Sequence, residues 1–102
     1  MQINKYNAQR TSVAGKIFHS KREAHRYGNL RLLERNGLIQ GLQTQVMIPI
    51  VINGVSVCKF IADFTYYEAG KYIVEDCKGF RTPVYKLKKK ILAAQGTEIR
   101  ET

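Results

Sequence analysis

Asp63, Asp76 and Lys78 are the residues of this 102-residue chain whose types and spacing best suit chemistry. Ala69-Gly70 lies between two strand-like runs and predicts the tip of an antiparallel hairpin. That tip pairs Glu68 with Lys71 and sets Asp63 opposite Asp76. Directly opposed residues on one sheet face have Cβ atoms about 4.5–5.5 Å apart, where two like charges repel unless a cation stands between them. Asp76 and Lys78 are two apart and share a strand face, with Glu75 and Cys77 on the other. Two carboxylates supply the hard oxygen ligands that suit Mg²⁺, an ion that keeps several waters. A lysine beside it can help generate or orient a hydroxide, or neutralise charge developing on a phosphate. That is equipment for metal-assisted phosphodiester hydrolysis. The plainer reading is a strand-ending aspartate and a surface Asp76–Lys78 ion pair, which contributes little. Convergence of three such groups in a chain with only eight acids favours the site.

A third carboxylate comes from a helix. Ser20-Lys21-Arg22-Glu23 is a capping-box pattern, Ala24 to Arg35 continues it, and Asn36-Gly37 ends it. Glu23 heads the stripe formed by Tyr27 and Leu30, while Arg22, His25 and Arg26 lie off it. Capping accounts for Glu23 fully; a place beside the other acids accounts for it equally well, and the two roles could alternate.

The elements that must hold these residues read in the order α-β-β-β-α-β. Val46 to Ile52 and Val55 to Tyr67 are apolar runs joined by Asn53-Gly54, a strong hairpin signal. A third strand spans Tyr72 to Lys78. Thr82-Pro83 starts a second helix, with Val84, Leu87, Ile91 and Ala94 predicted as its inward face and Gly96 as its end. Thr97 to Glu101 can add a short last strand, and Thr11 to His19 a small hairpin about Ala14-Gly15. The expectation is one α/β domain over residues 1–102, with an N-terminal hairpin or arm at 1–19, a core at 20–102, and helices flanking a mixed sheet.

Composition narrows the partners. Lys and Arg number 17 against 8 Asp and Glu, a net charge of +9. Residues 1–35 hold eight bases and two acids, 36–76 two and four, and 77–102 seven and two. A basic surface around a small acidic island points to a polyanion, most often nucleic acid. No apolar run approaches the ~20 residues of a membrane span. Met1 to Arg10 lacks the apolar core of a secretory signal. Two cysteines are too few for a disulfide scaffold, so a cytoplasmic setting is expected.

The helix-borne Glu, the strand Asp and the Asp-x-Lys of the next strand resemble the PD-(D/E)XK superfamily, the restriction-endonuclease-like nucleases. More specifically, the chain resembles small phage- and prophage-encoded members once catalogued only as a domain of unknown function. The carrying segments are Ser20–Ala24, Ile61–Phe64, Val74–Phe80, Thr82 and Val84–Lys88. The resemblance implies a restriction-endonuclease-like core and a Mg²⁺-dependent DNA endonuclease, with Mn²⁺ able to substitute. Asp63 and Asp76 would be metal ligands, joined by the backbone carbonyl of Cys77 and by Glu23; Lys78 would be the catalytic lysine. Gln45 matches a glutamine often found before the first core strand. Ala62 stands where the motif has its proline and Asp76 where it often has Glu, both tolerated variants.

Lys86, Lys88, Lys89 and Lys90 could form a solvated helix face, yet they lie just beyond the Asp-x-Lys strand, where a phosphate backbone would pass. With Arg22, Arg26, Gln45 and Arg81 they make up the expected DNA contacts. His19 and His25 have no partner at ligand spacing, and Cys58 and Cys77 are expected to be buried thiols. Tyr66, Tyr67, Tyr72 and Tyr85 are expected to pack in the core or at an edge. Alternatives are a junction- or flap-specific resolvase on branched DNA, a non-catalytic nucleic-acid-binding protein with vestigial acids, and a nuclease acting on RNA. The oligomeric state is open in the sequence, although cleavage of both strands by so small a chain would suggest a homodimer with two sites.

Overall fold

The structure, a computed structural model, describes residues 11–102 apart from Ala14 and Gly79. The polar stretch 1–10 and the Ala14 half of the first turn lie outside the described residues. In chain order the elements are β1 (Thr11–Val13), β2 (Lys16–Phe18), α1 (Lys21–Arg35), β3 (Gln40–Ile52), β4 (Val55–Glu68), β5 (Lys71–Asp76), α2 (Pro83–Ala94) and β6 (Ile99–Glu101). β1 and β2 form a separate antiparallel pair. The other strands make a mixed four-stranded sheet in the order β3-β4-β5-β6, antiparallel except for the parallel β5–β6 pair. Parallel neighbours need a crossover, and α2 supplies it. No helix among the described residues is long and apolar enough to cross a membrane.

Both tight turns follow local chemistry. Asn53 (φ 51°) and Gly54 (φ 78°) are left-handed, as are Ala69 (φ 52°) and Gly70 (φ 79°), the geometry that suits the twist of flanking strands. The second turn pairs Glu68 with Lys71 and carries the register down to Phe64 with Glu75, as the sequence predicts. β3 begins at Gln40 rather than Val46, because its polar residues stand exposed along an edge strand. β5 ends at Asp76, so Cys77 and Lys78 lie just past the strand rather than inside it.

α1 and α2 cover opposite faces of the sheet. α1 buries Ala24, Tyr27 and Leu30 against Phe18, Phe64 and Tyr66; α2 buries Tyr85 and Leu92 against Phe60, Ala62, Val74 and Ile99. On β5, Ile73 packs with the first cluster and Val74 with the second, the alternation a strand imposes, and Cys77 just beyond the strand packs with the first. β4 breaks that rule. Phe60 and Ala62 serve the α2 side while Phe64 and Tyr66, of the same parity, serve the α1 side. The change falls at Asp63. Opposite it on β3, Gln45 is itself left-handed (φ 54°), flanked by the pairs Thr44–Phe64 and Val46–Ala62. Strand irregularities of this kind re-aim side chains and gather at functional sites.

The second helix turns a different face inward from the one its periodicity predicts. Val84 and Leu87 are 61% and 58% exposed, whereas Tyr85 and Leu92 are buried and Ile91 is half-buried. A buried aromatic ring removes more apolar area than Val84 or Leu87 could, provided its hydroxyl finds a partner. Tyr85 has one in Glu101, at 2.7 Å. The expectation for the cysteines also needs correcting: Cys58 and Cys77 are free and only half-buried.

Candidate active site

Where β4 and β5 part, two carboxylates replace the ladder. The Asp63 N–H donates to Asp76 Oδ1 (3.0 Å), and the Cys77 N–H donates to Asp63 Oδ2 (2.9 Å). Each aspartate thus accepts from the backbone of the opposite strand. This reciprocal pair fixes both side chains without using all of their lone pairs. Asp76 is fully buried and Asp63 half-buried. The predicted opposition of the two acids is present, in the predicted register.

Lys78 completes the group. Its Nζ lies 2.8 Å from Asp76 Oδ2. That buried oxygen has a charge neighbour but no donor aligned for a hydrogen bond, so it keeps open coordination capacity. Across from Asp76, the ammonium sits 4.6 Å from the centroid of the Tyr85 ring. Lys78 is therefore held between a carboxylate and an aromatic face.

Glu23 arrives from the first turn of α1. Ser20 Oγ accepts from the Glu23 N–H (3.1 Å), half of the predicted capping box. The carboxylate itself turns into the site, where Glu23 Oε2 accepts from Gln45 Nε2 (2.9 Å); the same nitrogen is 3.4 Å from Asp63 Oδ1. Gln45, in its left-handed conformation, thereby links the helix acid to the strand acid. Glu23 is 6% exposed.

Electrostatics mark this as a strained cluster of like charge. Burial, with help from the neighbouring Asp76, pushes the Asp63 carboxyl up to about 7, although the Cys77 N–H pulls the other way. Burial likewise raises Glu23, opposed mainly by His19. Three acids and one lysine leave a net charge of about −2 when all are ionised. A divalent cation would balance it.

The residues present fit such an ion. Asp63 and Asp76, with its open Oδ2, are oxygen donors at one point of the sheet, and Mg²⁺ takes one or two carboxylates plus waters. Among the described residues no three His, Cys, Asp or Glu side chains are arranged as a complete ligand set. Glu23 reaches the aspartates through Gln45 rather than by direct contact.

A family model described as "Protein of unknown function (DUF1064)" matches residues 3–102. The chain belongs to that family. No curated protein and no solved structure gives a match.

In this DUF1064 chain the expected DNA-contacting residues separate into two groups. Arg22, Lys86 and Lys90 are exposed and make no ion pair with a described residue. The others are engaged internally. Arg26 forms a fork with Glu75 (Nε–Oε2 2.6 Å, Nη2–Oε1 3.0 Å), beneath the strand rather than over the site. Arg81 and Lys89 both pair with Glu101, at 2.9 and 3.2 Å, and Lys88 donates to the Lys59 carbonyl at 2.8 Å. Gln45 faces the acids. Two residues carry more than their sequence position suggests. Glu75 is fully buried and receives Arg26, Tyr66 and Thr102, while Tyr85 meets Lys78 instead of serving only as packing. Neither has a local signal, since Arg26 lies 49 residues from Glu75 and Glu101, which anchors the Tyr85 hydroxyl, 16 residues beyond it.

Proposed function

We propose that this chain is a metal-dependent endonuclease that hydrolyses phosphodiester bonds in DNA, built on a restriction-endonuclease-like core. The observation that carries the reading is the interlocked Asp63–Asp76 pair with the Lys78 ammonium 2.8 Å from the open oxygen of Asp76. Asp63, Asp76 and the Cys77 carbonyl would hold the ion, with Glu23 behind them. When bound, Mg²⁺, or Mn²⁺ in its place, would supply charge neutralisation at the phosphate and acidify the attacking water. Lys78 keeps its ammonium at the edge of the site, where it can donate to a phosphate oxygen as charge builds. Gln45 holds Glu23 and Asp63 in fixed relation, so the acids need no rearrangement when substrate arrives. Water attack on phosphorus breaks the P–O bond to the leaving sugar oxygen, and the proton lost by water balances the one the leaving oxygen gains. Of the expected contacts, Arg22, Lys86 and Lys90 are free to position the backbone.

Supercoiled, linear, branched and single-stranded DNA, incubated with and without Mg²⁺ or Mn²⁺, test this directly. Metal-dependent cleavage lost in Asp76→Ala and Lys78→Ala supports the assignment, and a branched-only pattern identifies a resolvase. A second reading, a non-catalytic DNA-binding protein, draws on the lack of a complete three-side-chain ligand set among the described residues. It predicts metal-independent binding with no cleavage of any substrate.

A further inference from the structure

Lys78 stands outside regular structure, two residues beyond the end of β5. Its side chain is 28% exposed, and the Asp76 oxygen it faces receives no aligned hydrogen bond among the described residues. A lysine has four rotatable bonds, and about 2 kcal/mol of rotamer entropy opposes any fixed position for its Nζ. The Asp76 contact alone is a poor restraint for a group whose position must be maintained near a reacting phosphate.

The fold supplies a second restraint from the far side. Tyr85, 7% exposed in the first turn of α2, presents its ring to Lys78 Nζ at 4.6 Å, well inside the range at which a ring quadrupole attracts an ammonium. The ring is itself held at both ends. Thr82 Oγ1 caps α2 by accepting from the Tyr85 N–H (3.1 Å), which fixes the backbone. Glu101 on β6 accepts from the phenol hydroxyl (2.7 Å), and Phe60 packs beside the ring with centroids 6.0 Å apart. Glu101 is in turn pinned by Arg81 and Lys89.

We infer that Tyr85 is a positioning residue for Lys78: its ring, anchored through Glu101, holds the ammonium against Asp76 of the carboxylate pair. This deepens the proposed nuclease reading and rests on it for its kinetic consequence, but the contact itself does not. The arrangement also accounts for the inverted face of α2. A helix with Val84 and Leu87 inward would carry the ring away from Lys78.

The test has a spectroscopic and a kinetic arm. In metal-free protein, the ring current of Tyr85 should displace the Lys78 ε-CH₂ proton resonances upfield of those of exposed Lys86 and Lys90, with Lys78→Arg giving the assignment. Tyr85→Phe should keep the displacement, and Tyr85→Leu should abolish it. Coincidence of the Lys78 signal with the exposed lysines in the wild-type protein overturns the proposal, whatever the protein cleaves. In the DNA assay, Tyr85→Leu should lower kcat about tenfold with KM little changed, and Tyr85→Phe should recover most of that loss. Equal kcat losses in the two variants, or a change in KM alone, contradict a positioning role. Absence of cleavage by the wild-type protein in every metal refutes the nuclease reading, while the resonance displacement still decides the contact. Should Tyr85→Leu fail to fold, the wild-type spectrum and Tyr85→Phe kinetics remain decisive.

Discussion

At the scale of single residues, the account turns on a few charges forced into proximity. Asp63 is the sharpest case, since burial and Asp76 raise its carboxyl to about 7 from an ordinary 3.8. The folded state then holds a proton that the unfolded state has released between about pH 4 and pH 7. By linkage, stability of the metal-free protein should fall as pH rises through that window. Thermal unfolding checks this: Tm should decline from pH 5 to pH 8 without metal, and the decline should flatten in Asp63→Asn. A divalent cation bound at the proposed site would displace the proton, so millimolar Mg²⁺ should raise Tm far more at pH 8 than at pH 5. Lys78→Met should leave DNA affinity nearly intact while reducing cleavage by about 10²-fold or more. Filter binding and gel cleavage, run on the same preparation, separate the two effects.

At the scale of elements, the register of the site hairpin was legible because it depends on neighbours. Ala69-Gly70 sets the pairing of Glu68 with Lys71, and the opposition of Asp63 to Asp76 follows five positions further along each strand without further information. Asn53-Gly54 does the same for β3 and β4. What depends on distant partners was not legible. Arg26 is an exposed-looking helix base until Glu75 is placed beneath it, 49 residues along the chain, and the inward face of α2 is decided by Glu101, 16 residues beyond Tyr85. The same distinction sets the expected stabilities. Arg26→Met strands a buried carboxylate and should cost about 3 kcal/mol, measured by urea unfolding. Leu92→Ala should cost about 2–4 kcal/mol, whereas Leu87→Gln, on the exposed face, should change stability by no more than about 0.5 kcal/mol. Ala69 occupies a left-handed turn position that favours Asn or Gly, so Ala69→Asn should add roughly 1 kcal/mol.

At the scale of the whole molecule, net charge and local charge play different parts. The +9 excess favours a polyanionic partner, while the acids that matter are gathered where β4 changes face and β5 ends. Among the expected DNA contacts, internal pairing engages Arg26, Arg81 and Lys89 and leaves Arg22, Lys86 and Lys90 exposed and available to a phosphate backbone. The central claim is that this arrangement hydrolyses DNA. Nicking of supercoiled plasmid by purified wild-type protein and by Lys78→Met, followed over time with Mg²⁺ or Mn²⁺ and with chelator, addresses it most directly. The account predicts nicking that requires the cation and is nearly lost in Lys78→Met. Plasmid left intact by the wild-type protein in both metals, or nicked equally by the variant, would contradict it.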